Sequence, residues 1–273
     1  MNANLSQRTA CIGVELESRA EDVALVRTAL TAVAEITFLD QLLLSDLKTA
    51  VSEACNNIVL HAYGDELGPM LVTIDVRPDS IDVNVRDHGC GIRQLAAGEE
   101  RMGLGLALMT ALAAKVEFSS RADCGAEVRM SFDRHPGGDG AHPLSVPPAD
   151  ELPYDPIETL GGNVVVHVSP AQLVGPVLGR LVRAVAANSG FSVARFEDLY
   201  PVADAIADHA KRAADGSLSF AIRASRRSIE LIAGPFSRLP EEIEHLGRLV
   251  DEVSVETTAD RDLLHLTLLD RTR

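Results

Sequence analysis

The sequence is poor in basic residues. Its 273 residues contain 25 Lys and Arg against 40 Asp and Glu, which gives a formal net charge of −15. Contact with nucleic acid phosphates depends on clustered Lys and Arg, so the composition argues against direct binding of nucleic acid. An acidic surface can instead attract a basic protein, such as one that itself binds DNA.

Cysteines and long apolar runs are scarce too. None of the four cysteines, Cys11, Cys55, Cys90 and Cys124, belongs to a CxxC pair or has His partners at a metal-site spacing. We interpret them as free thiols of a cytoplasmic protein. Because no run of about 18 apolar residues occurs, we expect no transmembrane helix. The first residues, MNANLSQRTACIGVELES, lack the basic and apolar regions of a signal peptide, so we expect none.

One stretch has no apolar period at all. It reads HPGGDGAHPLSVPPADELPYDPIETLGG, from His135 to Gly162, and it is crowded with Pro, Gly and acidic residues. Such composition is typical of a linker. We therefore predict a first domain over residues 1–134, an acidic linker over 135–160 and a second domain over 161–273, in line with the chain length.

In the first half, strands and helices fall in separate groups. Apolar periodicity predicts a strand over 11–18, helices over 21–36, 42–62 and 103–114, a hairpin over 71–87 and a closing hairpin over 115–134. This order predicts an α+β fold, a two-layer α/β sandwich, in preference to a doubly wound sheet.

The second half repeats the order of the first. NVVVHVSPAQLVGPVLGRLVRAVA corresponds to CIGVELESRAEDVALVRTALTAVA, and PVADAIADHAKRAADG corresponds to AVSEACNNIVLHAYGD. SIELIAGPF corresponds to SIDVNVRDHG, and the last strands also align. We interpret the order as an internal duplication of about 110 residues.

The second predicted helix carries a polar stripe in the stretch SEACNNIVLHAYG. Glu53, Asn57 and His61 are spaced four residues apart, so they share one helix face, while an apolar stripe that includes Val51 and Ile58 supplies the core contact. A stripe of this kind borders either a pocket or bulk solvent, and this segment alone fits both.

Two glycine patterns follow. VRDHGCGI places Asp87, Gly89 and Gly91 after a strand, where an Asp can accept a hydrogen bond from an exocyclic amine. RMGLGLALMTALA places Gly103 and Gly105 at the start of a helix, where free N–H groups favour phosphate. Each pattern alone also fits a turn or close packing, whereas the three patterns in this order form a more specific signal.

ExxxN on a helix, DxGxG after a strand and GxG opening a later helix resemble the Bergerat ATP-binding (GHKL) fold of gyrase, the Hsp90 chaperone, histidine kinases and MutL. Within that superfamily, SEACNNIVLHAYG and the short length look most like the anti-sigma factor serine kinases. The resemblance covers nearly all of residues 10–134. It implies binding of ATP with Mg²⁺ and transfer of phosphate to a protein serine.

The resemblance also implies a role for each matching residue. Asn57 would ligate Mg²⁺ between the ATP phosphates, and Glu53 would be the general base for the attacking serine hydroxyl. Asp87 would bind the adenine amine, and His61 continues the polar stripe as a further nucleotide-binding candidate.

The remaining matches concern the phosphates. Gly89 and Gly91 would start the ATP lid, and the backbone N–H groups at Gly103 and Gly105 would contact phosphates. Arg101 stands where a basic residue could reach the γ-phosphate, although a plain surface arginine fits the position equally well.

Two departures from the family bear on catalytic rate more than on binding. The lid, over residues 92–102, is short. Ala126 stands where the family usually has Thr, which suggests that one polar phosphate contact is missing.

The nucleotide residues are not kept in the second half. Asp204 aligns with Glu53 and Asp208 with Asn57, whereas Pro235 falls near the place of the adenine-binding Asp. We therefore expect a degenerate copy that holds no ATP. We expect it to pack with the first half as an intramolecular pseudo-dimer, which leaves open whether chains also form a homodimer.

The leading hypothesis is an ATP-dependent serine kinase that binds a sigma factor and phosphorylates a small antagonist protein. The alternative is a nucleotide-binding regulatory protein without kinase activity that sequesters a partner. Residues 1–134 carry 12 Lys and Arg against 20 Asp and Glu, and the linker carries no Lys or Arg and 5 Asp and Glu. These acidic parts are the better candidates for a basic partner.

Overall fold

The chain forms two compact units, Met1–Pro148 and Ala149–Arg273. The computed structural model describes residues 10–89, 102–121, 125–134, 163–213, 216–237, 246–258 and 261–271. The segment predicted to be a linker lies outside these ranges.

Within its described residues, the first unit is a five-stranded sheet with three helices. Its elements are β1 (Ala10–Glu17), α1 (Val23–Thr37), α2 (Gln41–His61), β2 (Pro69–Val76), β3 (Ser80–Asp87), α3 (Met102–Leu112), β4 (Lys115–Arg121) and β5 (Gly125–Asp133). The strand order is β4-β5-β3-β2-β1, and every neighbouring pair is antiparallel. All elements predicted for this half are present, with ends shifted by at most two residues.

Alternation along the strands places one face of the sheet against the helices. In β2, Val72 and Ile74 are buried, and in β3, Val83 and Val85 are buried, while the residues between them are partly exposed. Helices α1 and α2 contact these strands. Burial of alternate residues is what a strand covered on one side requires, and the predicted α+β class is confirmed.

Helix α2, which carries the polar stripe, is fixed at its start by a side-chain cap. The Asp40 carboxylate accepts a hydrogen bond from the N–H of Leu43 at 2.9 Å, which satisfies one of the free donors in the first turn. The predicted apolar stripe is buried, including Leu47, Val51 and Ile58. The opposite face is therefore available for polar side chains.

Two buried thiols belong to the core of the first unit. Cys11 lies on β1 and Cys55 on α2, and both are present as thiols that form no disulfide, as predicted. Burial raises the pKa of the Cys55 thiol to about 12. Cys90 and Cys124 lie outside the described residues.

The described residues of the second unit also form a five-stranded sheet. Its elements are β6 (Val164–Ser169), α4 (Val174–Asn188), α5 (Val193–Glu197), α6 (Leu199–Ala213), β7 (Leu218–Ser225), β8 (Ser228–Phe236), β9 (Glu252–Thr258) and β10 (Arg261–Leu269). The strand order is β6-β7-β8-β10-β9, again antiparallel throughout. In both units the first three strands are neighbours in chain order, and the fifth strand lies between the third and the fourth.

Helix α5 was not predicted, and the described residues of the first unit contain no counterpart of it. Ser192 caps it by accepting the N–H of Arg195. The Arg195 side chain then donates to the carbonyl of Leu269 at 3.1 Å and forms an ion pair with Asp251. In the described parts of both units, no helix is long and apolar enough to cross a membrane.

Candidate functional site

The polar stripe of α2 runs from a half-buried to an exposed position. Glu53 and Asn57 are half-buried, whereas Thr49 and His61 are exposed. Since a solvated helix face would leave the whole stripe exposed, something must cover its centre. The covering element is α3.

Helix α3 approaches Glu53 through a glycine. A Cβ added at Gly105 would lie 2.9 Å from Oε2 of Glu53 and 3.9 Å from Oδ1 of Asn57. Helix α3 begins at Met102, so Gly103 and Gly105 both lie in its first turn, where backbone N–H groups lack partners within the helix. The structure thus brings the ExxxN and GxG patterns together, as the nucleotide interpretation requires.

Asp87 ends β3 as a buried carboxylate with 2% of its surface exposed. Its Oδ1 accepts the N–H of Gly89 at 2.8 Å and the N–H of Ala126 at 3.2 Å. Two donors on one oxygen fix the orientation of the carboxylate, and neither bond uses Oδ2. The second oxygen is therefore the one that remains to accept a donor from a ligand.

Two close backbone approaches hold this carboxylate in place. A Cβ at Gly89 would lie 2.2 Å from the carbonyl oxygen of Ala62, at the end of α2. A Cβ at Gly125 would lie 2.2 Å from the Asp87 carbonyl oxygen and 2.5 Å from its Oδ1. Only glycine fits at either position without a shift of the backbone. The turn formed by Asp87, His88 and Gly89, called here the Asp87 turn, therefore packs tightly between α2 and β5.

Tyr63 ties the same turn to β2. Its hydroxyl accepts the N–H of His88 at 2.8 Å and donates to the carbonyl of Pro69 at 2.6 Å. Burial raises the pKa of this phenol. Gly125 and Tyr63 were not among the predicted site residues. Tyr63 could have been suspected from its place next to the polar stripe, in the stretch HAYG.

Comparison with known proteins agrees with this geometry. Residues 16–132 match the family model described as a histidine kinase-like ATPase domain. The anti-sigma F factor of Caldanaerobacter subterraneus subsp. tengcongensis is 30% identical over 126 residues, which cover 42% of this chain and 87% of that protein. The chain belongs to the anti-sigma factor serine kinase family.

The serine-protein kinases among the relatives match over shorter stretches. The serine-protein kinase RsbW of Bacillus cereus (strain AH187) is 33% identical over 85 residues, 31% of this chain and 53% of that protein. The chain therefore spans about half the length of such curated relatives. Among solved structures, crystal form I of TP0453 covers 97% of this chain with 10% identity and a TM-score of 0.38, a likeness too weak to support any argument.

The structure places Ala126 beside Asp87. The N–H of Ala126 bonds to the Asp87 carboxylate. The loss of a polar phosphate contact expected at this position stays a prediction.

The other candidates carried over from the anti-sigma kinases differ in how the structure places them. Gly91 and Arg101 lie outside the described residues, and His61 lies exposed at the last residue of α2. Within the described parts of the chain, no group of three or more His, Cys, Asp or Glu could hold a metal ion.

The aligned positions of the second unit are arranged differently from those of the first unit. Asp204 and Asp208 are exposed on α6, and Asp208 pairs with Lys211 at 3.0 Å. Phe236, one residue after Pro235, is fully buried, and the ring of His209 packs edge-on against it with 5.1 Å between centroids. The ring of His209 thus packs against the last residue of β8.

Proposed function

We propose that this protein binds ATP with Mg²⁺, transfers the γ-phosphoryl group to a serine of a small antagonist protein, and binds a sigma factor. The observation that carries the proposal is the close approach of Gly105 to Glu53 and Asn57. It joins a carboxylate, an amide and the free N–H groups of a helix start in one place, and phosphoryl transfer depends on such positioning.

Asp87 would recognise adenine. Because Oδ1 is already used by two N–H groups, Oδ2 is left to accept the exocyclic amine of adenine. Guanine would present a carbonyl oxygen at the same place, and two acceptors repel each other. The arrangement therefore favours ATP over GTP.

The phosphates would lie at the start of α3. Backbone N–H groups at Gly103 and Gly105 and the positive end of the helix dipole suit phosphate oxygens. Gly89 and Gly91 would start the ATP lid, and Arg101 and His61 are further candidates for contact with the nucleotide. Asn57 would offer a neutral oxygen to Mg²⁺, which, when bound, neutralises charge on the phosphates.

Glu53 would act as the general base. As the serine oxygen forms its bond to the γ-phosphorus, the bond from that phosphorus to the bridging oxygen breaks and ADP leaves. The proton of the serine hydroxyl passes to the Glu53 carboxylate. Helix α3 supports this role because Gly105 leaves just enough room for that side chain.

The test is a Glu53→Gln variant, which keeps shape but removes the base. With labelled ATP and a candidate antagonist protein, we expect phosphate transfer to fall by roughly two to four orders of magnitude while ATP binding by calorimetry persists. Glu197→Gln, on an exposed glutamate of the second unit, is the matched control. Binding of ATP without transfer to any antagonist, even in the wild-type protein, would favour the nucleotide-binding regulatory protein instead.

We also propose that the second unit is a degenerate copy of the first. The common order of strands and the aligned sequence segments support this proposal. The exposed Asp204 and Asp208 and the filled end of β8 fit a copy without nucleotide. Such a copy is free to serve in partner binding.

A further inference from the structure

The Tyr63 hydroxyl occupies a position where two strands would otherwise bond directly. Strands β2 and β3 are antiparallel, and their last pair at this end is Met70 with Asp87. The next pair in register would be Pro69 with His88. The Tyr63 hydroxyl lies between them instead, accepting from the N–H of His88 and donating to the carbonyl of Pro69.

This insertion changes the course of the chain after Asp87. A direct bond would extend the ladder and keep residue 88 in the plane of the sheet. Bridging by a side chain separates the two strands while both backbone groups stay satisfied. Freed from the ladder, the chain turns toward α2, where Gly89 packs on the carbonyl of Ala62.

The Tyr63 ring is itself held firmly. A Cβ at Gly68 would lie 2.2–2.5 Å from three atoms of the ring, so the ring lies directly against the backbone just before β2. The side chain thus connects three segments: the end of α2, the start of β2 and the turn after β3. None of the roles assigned to the site above includes it.

We propose that Tyr63 is a positioning residue that sets the Asp87 carboxylate for base recognition. It acts through His88, the next residue, and it touches neither nucleotide nor metal. This inference rests on the proposed function in one respect, that Asp87 takes the amine of adenine. The anchoring of the turn itself does not depend on any ligand.

A Tyr63→Phe variant separates the hydroxyl from the ring, because the ring over Gly68 is retained. We expect the N–H of His88 to exchange with solvent faster, as measured by NMR on the unliganded full chain. We expect ATP affinity to fall about tenfold, the effect of one or two lost hydrogen bonds. Tyr200→Phe is the matched control, since that ring packs under Arg183 at 4.0 Å in the second unit.

The decisive measurement is a ratio. ATP and purine riboside triphosphate differ only in the 6-amino group, so their affinity ratio isolates the contact at Asp87. We expect Tyr63→Phe to reduce that ratio by about threefold or more, because a carboxylate that shifts loses part of a directional bond. A merely structural role would weaken both nucleotides equally and leave the ratio unchanged.

The outcomes are distinct. An unchanged ratio in Tyr63→Phe, or unchanged exchange at His88, would overturn the positioning role. A wild-type protein that binds neither nucleotide would contradict the proposed function and the base-recognition part of this inference. Exchange at His88 would in that case still confirm or overturn the anchoring of the turn by the hydroxyl.

Discussion

Replacement of Gly125 is the most direct test of the close packing around Asp87 at the end of β3. Its φ is +83°, and an added Cβ would meet the Asp87 carbonyl oxygen at 2.2 Å. For Gly125→Ala we expect a cost of about 1–2 kcal/mol from the backbone conformation and about 1–3 kcal/mol more from the clash. ATP binding, followed by calorimetry, should be lost because Asp87 is displaced.

The control for this prediction lies in the same unit. Gly64 also has a positive φ, +64°, but an added Cβ there has nothing within 4 Å. Gly64→Ala should therefore show only the backbone cost in urea unfolding and should keep its ATP affinity. Equal effects of the two variants on affinity would contradict the close packing at Asp87.

Asp22 gives a prediction about pH. Burial, followed by the charge of Glu21, raises the pKa of this carboxyl from 3.8 to about 6. A folded state that binds the proton more tightly loses stability as pH rises between these two values. The Asp22 side chain makes no capping hydrogen bond at the start of α1. Replacement of Asp22 by Asn therefore removes no capping bond.

We expect Asp22→Asn to stabilise the protein at pH 7 by on the order of 1 kcal/mol, less than the full pKa shift implies, because solvent screens a half-exposed group. The gain should shrink through the window from pH 6 to 4 and vanish below it. Urea unfolding of both proteins at several pH values measures this. A gain that does not change with pH would rule out the titration of Asp22 as its cause.

At the same scale, the sequence predicted those residues of the candidate site that belong to a pattern. Glu53 and Asn57 were proposed because a helix places residues four apart on one face, and Asp87 because it ends a clear strand. Tyr63 and Gly125 were missed. Their importance comes from contacts with His88, Pro69 and Asp87 that only the folded chain creates.

At the scale of elements, the packing of α4 on α6 offers a paired test. A Cβ at Gly179 would lie 3.7 Å from the Cβ of Ala203, an ordinary contact, whereas one at Gly175 would lie 3.0 Å from the Cβ of Ala207. We expect Gly179→Ala to stabilise the second unit by about 0.5–1 kcal/mol, the usual gain inside a helix. Gly175→Ala should give no gain, since the helices must separate slightly.

Thermal unfolding of the two variants measures the difference, and each serves as the control for the other. A larger gain for Gly175→Ala than for Gly179→Ala would contradict the packing of these helices.

Elements with a clear apolar period were predicted well, and short elements held by distant contacts were not. Helix α1 and strands β2 and β3 follow the period of their own side chains. Helix α5 has only five residues, too few for a period to show. It is fixed by Arg195, which reaches Leu269 across 74 residues of sequence, and no local pattern contains that information.

For the whole molecule, we expect one ATP per chain. The first unit has the buried Asp87 carboxylate and the Gly105 approach, whereas Phe236 and His209 fill the end of β8 in the second. Calorimetry with Mg²⁺ and ATP should give a stoichiometry near one, and Asp208→Ala should leave it unchanged. Binding of two nucleotides per chain would contradict the degenerate state of the second unit.

Packing of the two units as a pseudo-dimer, and any homodimer of chains, stay predictions from the sequence. Small-angle scattering of the full chain measures both, through the compactness and the mass of the particle. The uneven charge bears on partners, since most of the net negative charge lies in residues 1–160, where Asp and Glu outnumber Lys and Arg by 25 to 12. A basic partner should therefore lose affinity for the protein as salt rises.

The burial of Cys55 has a practical consequence. This thiol lies on α2 between Glu53 and Asn57, hidden from solvent and with a pKa of about 12. An alkylating reagent reacts with the thiolate and needs access to it, so it can reach this sulfur only when α2 comes away from the sheet. The rate of labelling at Cys55 therefore measures how often the helix that carries the candidate base opens, with no reporter group added to the chain.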